Sequence, residues 1–139
     1  MKNVHEATFF SYGDSTDMAT WSNVPYFLTN TVRAKGIKVN RVNVKPNAIT
    51  LRIWNSVVLR LIHLVLPKST YTFDRTPFFR LLASRKMKRA VKEFKNSDVF
   101  ISISFSFHPG KYTDKPVVMF CDWSYDYYFT HFLKRKPDA

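Results

Sequence analysis

A chain of 139 residues, 45% hydrophobic and 17% aromatic, is long enough for one layered core and too apolar for disorder. Its 22 lysines and arginines against 10 acidic residues give a formal charge of +12. That field selects anions (nucleic acid, acidic lipid headgroups, phosphorylated small molecules) without telling them apart, and a lone cysteine, Cys121, excludes an internal disulfide framework and fits a reducing compartment.

No basic-then-apolar leader opens the chain, and no unbroken apolar run reaches the ~18 residues of a membrane span. The expectation is a soluble chain or one lying on a membrane. The first strand pattern, Val4–Tyr12, ends at Tyr12-Gly13-Asp14. A helix then starts near Ser22-Asn23, with Pro25 in its opening turn, and stops at Gly36. Ile37–Val44 reads as the second strand.

A second helix covers about Ala48–Leu66 and halts before Pro67. Ile53, Trp54, Val57, Val58, Leu61, Ile62, Leu64 and Val65 take about half its circumference, with Arg52, Ser56, Arg60 and His63 opposite. Such a face suits the membrane interface, and equally burial between a sheet and a neighbouring domain, which is the default expectation. The third helix opens Thr76-Pro77, a hydroxyl cap before a proline at the first helical position. Phe79, Ala83, Met87, Ala90 and Phe94 share one face of it. Arg85, Lys88, Arg89, Lys92 and Lys95 lie opposite, either as a solvated face or as an anion-binding one.

Two more strands follow. Val99–Phe107 alternates, so one side should be better covered, and Val117–Cys121 is continuously apolar, as a strand buried on both faces should be. A last helix is expected after Ser124, carrying Tyr128, Phe129 and Phe132. This order predicts an α/β, Rossmann-like three-layer sandwich with a mostly parallel sheet of four or five strands, the whole of 1–139 forming one domain. No strand pattern follows the last helix, so the chain reads as one domain cut at a boundary.

In open α/β sheets ligands bind beyond the carboxyl ends of the strands. The Gly13–Asn23 connection is longer than the ~2–6 residues usual in such units. It ends at a helix N-terminus suited to a phosphate or carboxylate, so Gly13, Asp14, Thr20, Trp21, Ser22 and Asn23 are candidate substrate-binding residues. A plain surface loop with Trp21 lidding the core is the alternative. Asp122, Trp123 and Ser124, directly after the fourth strand, offer a carboxylate for sugar hydroxyls and an apolar face for a sugar ring, or else a helix cap and a packing residue. His108, beside Pro109-Gly110, is a further candidate, although a histidine there is commonly a turn residue. The other histidines, His5, His63 and His131, show no ligand spacing, and no metal site is expected. The three glycines spell neither a dinucleotide fingerprint nor a phosphate-binding loop, and no G-x-S-x-G elbow is present.

The stretch Ser11-Tyr12-Gly13-Asp14 through Thr20-Trp21-Ser22-Asn23-Val24-Pro25-Tyr26-Phe27-Leu28 resembles the opening of bacterial family-4 glycosyltransferases, retaining enzymes of GT-B fold. Their pattern is a strand, Gly-Asp, then a Trp-Ser-Gly-Thr-Pro-Tyr-like run, from which Asn23 and Val24 depart. Ser97-Asp98-Val99-Phe100-Ile101-Ser102 and Pro116-Val117-Val118-Met119-Phe120-Cys121-Asp122 resemble two further strands of the family. Cys121-Asp122 stands where many relatives place a histidine near the cleft. The resemblance implies an N-terminal, acceptor-side domain of a hexosyltransferase-like enzyme, with Asp122 as candidate catalytic residue and a glycan or lipid-linked acceptor. It also implies a nucleotide-sugar cosubstrate, no other cofactor, and a missing C-terminal donor domain that leaves this fragment inactive alone. Cytoplasmic placement, with Arg52, Arg60 and the Arg85–Lys95 cluster against the anionic inner face of the plasma membrane, is the matching expectation. The runner-up is a non-catalytic basic α/β module binding nucleic acid or another anionic partner. No nucleic-acid motif supports it, and a receiver-like domain lacks paired acids after its first strand, where Phe9-Phe10-Ser11-Tyr12 stands.

Overall fold

The computed structural model describes residues 3–20, 23–65, 73–104, 106–121, 130–131 and 134. In chain order its elements are β1 (Glu6–Ser11), α1 (Val24–Ala34), β2 (Lys38–Asn43), α2 (Ala48–Ile53) and α3 (Leu59–Val65), then α4 (Pro77–Glu93), β3 (Val99–Ile103) and β4 (Val117–Met119). A π turn, Trp54–Val58, joins α2 to α3 without a break, and short 3-10 turns sit at Phe73–Arg75 and Gly110–Tyr112.

The strands form one all-parallel sheet in the order β2-β1-β3-β4. Successive strand residues point to opposite faces, and β1 shows the consequence. Phe10 joins Phe79, Ala83, Met87, Ala90 and Phe100 on the α4 side, while Ala7 and Phe9 join Ile103, Val24, Leu28 and Val32 on the α1 side. Both faces are therefore covered, and the chain is an α/β, Rossmann-like three-layer fold.

Helix α4 forms as its sequence predicts. Thr76 Oγ1 accepts the Phe79 N–H at 2.9 Å and donates to the Phe73 carbonyl at 2.8 Å, so one hydroxyl closes the helix start and ties it to the preceding turn. Phe79 is fully buried, with its ring edge-on to Tyr12, Phe73 and Phe107. Its burial contributes about 2–3 kcal/mol.

Three expectations change. Strand β3 ends at Ile103 because the chain turns there: Ser102 Oγ donates to the Phe107 carbonyl at 2.7 Å, and the Ser106 N–H to Ser104 Oγ at 3.0 Å. Its serine side is also as well covered as the other, since Ser102 is buried beside Phe100. The continuously apolar β4 is an edge strand rather than one buried on both faces, and Val118 and Met119 stand about half exposed. Finally, Ala48–Val65 is a single helix long and apolar enough, by length and composition, to cross a membrane, yet none of it is buried. The isolated polar residues Arg52, Asn55, Ser56 and Arg60 interrupt an unbroken run but leave the average apolar.

At the amino ends of the strands a polar network locks the sheet. Asp98 accepts the N–H groups of His5 (2.8 Å) and Glu6 (3.0 Å), and Thr8 and Ser97 share a buried hydroxyl pair at 2.7 Å. Asn40 Nδ2 reaches Glu6 at 2.7 Å and Thr8 at 3.2 Å.

Candidate functional site

Because β1 sends the chain to β2 on one side while β3 pairs on the other, α1 and α4 cover opposite faces and the strand order reverses between β1 and β3, whose carboxyl ends are where open α/β sheets bind ligands. The loop leaving β1 runs along this edge. It is not slack. Asp14 accepts the N–H and hydroxyl of Thr16 at 2.8 and 2.7 Å, and Asp17 accepts the Ala19 N–H at 2.9 Å. The donations from Thr16, backbone first, hold the Asp14 carboxyl below the usual carboxylate range, helped by the charge of Arg41.

Gly13 is required where it stands. Its φ of 120° is a conformation that residues with a Cβ avoid, and a Cβ there would lie 2.7 Å from Thr20 Cγ2. Gly13 and Thr20 thus pack directly on each other, and the Gly13 N–H donates to Asn43 Oδ1 at the end of β2, 3.1 Å away. Asn23 enters α1 with φ 68° and ψ −7°, left-handed, which asparagine tolerates better than most residues. Its side chain makes no cap, so the first-turn N–H groups of α1 have no side-chain partner from it.

His108 lies at the exit of β3 on the same edge, exposed, with Nδ1 accepting the Gly110 N–H at 3.2 Å, the bond of a turn residue. Trp21, Ser22, Asp122, Trp123 and Ser124 lie outside the described residues, as does the expected last helix apart from 130–131 and 134. The chain approaches Asp122 from the carboxyl edge, because the Phe120 N–H donates to the Ser102 carbonyl at 2.8 Å. Among the described residues no three His, Cys, Asp or Glu side chains come together as metal ligands.

Three residues at this edge escaped the sequence reading. Ser15 is buried, and its Oγ is the buried side-chain polar atom left without a partner among the described residues. Nothing in the sequence signals this, since it depends on the path of the loop. Asn43 receives Gly13 and Lys45 N–H groups, the latter at 2.8 Å. Lys86 Nζ donates to the carbonyls of Asn43 (3.2 Å) and Lys45 (2.5 Å), and burial lowers its pKa. Its place beside the Ala83–Met87 stripe, and not on the outer face, was the available clue.

The seven basic residues singled out in the sequence, Arg52, Arg60, Arg85, Lys88, Arg89, Lys92 and Lys95, are all exposed. Lys38 pairs with Glu6 at 3.0 Å on the amino edge, an ion pair that includes none of the seven. Among the described residues, the carboxyl edge thus holds a buried Ser15 hydroxyl without a partner, an α1 start that the Asn23 side chain does not cap, and a loop braced by the hydrogen bonds of Asp14 and Asp17. Comparison with known protein families, curated proteins and solved structures finds no match to this chain.

Proposed function

We propose that the chain is the acceptor-side half of a GT-B-type glycosyltransferase, transferring a sugar from a nucleotide-sugar donor to a glycan or lipid-linked acceptor. The observation that carries this reading is Asn23. The family pattern has glycine at that position, and Asn23 is left-handed at the start of α1, a conformation glycine reaches without cost. The departure from the pattern therefore preserves the backbone it encodes. The three-layer fold, with its strand order reversing between β1 and β3, is the setting such a domain needs.

In this reading the Gly13–Asn23 loop fixes the acceptor. Ser15 Oγ and the first-turn N–H groups of α1 bind its oxygens, and the close Gly13–Thr20 contact keeps the loop from shifting as the acceptor hydroxyl is aligned. Asp122, two residues beyond Phe120, is the carboxylate assigned to the reacting hydroxyl. Stabilisation of the departing diphosphate belongs to the donor half, because the described edge carries no glycine-rich phosphate cradle. Titration calorimetry of the 139-residue chain with a panel of nucleotide sugars tests the division of labour. No saturable heat is expected; micromolar binding by this chain alone would move the donor site into it and sink the reading.

The exposed cations of α4 favour a second reading, a module that binds nucleic acid through phosphates. It requires affinity for duplexes of any sequence that falls steeply with salt.

A further inference from the structure

Helix Ala48–Val65 turns a row of large apolar side chains to solvent: Ile49, Ile53, Val57, Leu61 and Leu64 are between 52% and 80% exposed. At ~100° per residue, a row spaced by four drifts ~40° per step. The wider π turn at Trp54–Val58 and the three-residue step from Leu61 to Leu64 both act against that drift. The other flank is anchored. The Trp54 ring meets the buried Phe73 ring at 5.1 Å, so the middle of the helix packs on the domain.

The apolar surface continues past this anchor. Phe73 also meets Phe78 at 6.0 Å, and Phe78 and Leu81 are exposed at the start of α4. From there Arg85, Arg89 and Lys92 follow Phe78 and Leu81 at three- and four-residue steps, so one exposed line of α4 runs from apolar to cationic. Arg52 and Arg60 flank the apolar row itself. No aspartate or glutamate occurs from Met18 to Phe73, and α4 holds none before Glu93. The cations beside this face therefore lack acidic neighbours along their own elements.

We propose that this composite face, the Ile49–Leu64 row with Phe78, Leu81 and the adjoining cations, docks in-plane on an anionic lipid bilayer. Both halves of the surface fit that occupant: apolar side chains enter the headgroup–acyl boundary while arginines and lysines remain at the phosphates. A second copy of the chain fits worse, because each copy would bring a charge of +12 to the contact. The inference is independent of glycosyl transfer, since the face is built from α2, α3 and α4 and uses none of the residues assigned to the acceptor.

The test is co-sedimentation of the full chain with vesicles of phosphatidylcholine and of phosphatidylcholine mixed with phosphatidylglycerol. Binding to the mixed vesicles is expected to be at least about tenfold stronger, since each cation near an acidic surface multiplies binding about fivefold. Ile53→Ser with Leu61→Ser, both at exposed positions, lowers binding about tenfold or more. Arg85→Gln with Arg89→Gln removes the anionic preference and leaves neutral-vesicle binding unchanged. Circular dichroism and the remote exposed variant Val4→Ser control for folding. Equal, negligible sedimentation with both vesicles overturns the proposal. So does full binding by the Ile53→Ser, Leu61→Ser variant. A dimer that this variant abolishes, in a chain that ignores vesicles, would assign the face to a second copy instead.

Discussion

Replacing Gly13 by alanine probes the loop on which the functional reading depends, and its effect divides into separable parts. A φ of 120° strains a residue with a Cβ by about 1–2 kcal/mol. The new methyl would lie 2.7 Å from Thr20 Cγ2, and forcing it into that packed contact costs about 1–3 kcal/mol more. Against this, the unfolded chain loses freedom worth about 0.4–1 kcal/mol. The net loss is about 2–4 kcal/mol, or a Tm lower by about 6–12 °C for a domain of this size. Urea unfolding followed by far-UV circular dichroism reads it directly. Adding Thr20→Ser removes the opposing methyl, so the double variant should recover the packing part and keep the φ part. A Gly13→Ala protein within about 0.5 kcal/mol of wild type would refute the loop geometry. A double variant no better than the single would refute the assigned contact.

Asn23 makes a related prediction: Asn23→Gly should unfold within about 0.5 kcal/mol of wild type, while Asn23→Ala should lose about 1 kcal/mol. Equal stability of the two variants would mean the position is not left-handed. Asp98 predicts an acid sensitivity at the opposite edge. The His5 and then the Glu6 N–H groups hold its carboxyl below the usual range. A depressed pKa adds stability that is fully present above the unfolded value of ~3.9 and is lost as pH falls through the folded one. The Tm gap between wild type and Asp98→Asn should therefore close as pH drops below about 4; a gap constant with pH would contradict the bonds.

What the sequence made legible follows from how local each signal is. The α4 stripe of Phe79, Ala83, Met87 and Ala90 is buried throughout, because a helix period repeated over about three turns leaves one face for the core. The Thr76-Pro77 start was equally plain, since cap and proline act within three residues. Strand β4 misled because an apolar run records composition, not neighbours: Val117 pairs against Phe100, and nothing described lies on the other side. The same limit applies to Ala48–Val65, whose apolar face was visible while its exposure was not. At the carboxyl edge, Gly13 and Thr20 were both chosen as site residues, but their direct contact rests on a loop path that no periodicity encodes. Ser15 was invisible for that reason too. The left-handed φ of Asn23 was equally hidden, because no local signal in the sequence marks it.

The most direct test of the central claim is sugar transfer by the protein extended through a donor-binding half, assayed with Asp122→Ala and Asp98→Ala beside wild type. Transfer by wild type is expected, with turnover falling about 100-fold or more in Asp122→Ala, the range for loss of a general acid or base. Asp98→Ala, whose side chain serves the amino edge, should turn over near the wild-type rate wherever it remains folded, with its loss read in Tm alone. No transfer by the extended protein, or equal turnover in the two variants, would contradict the account.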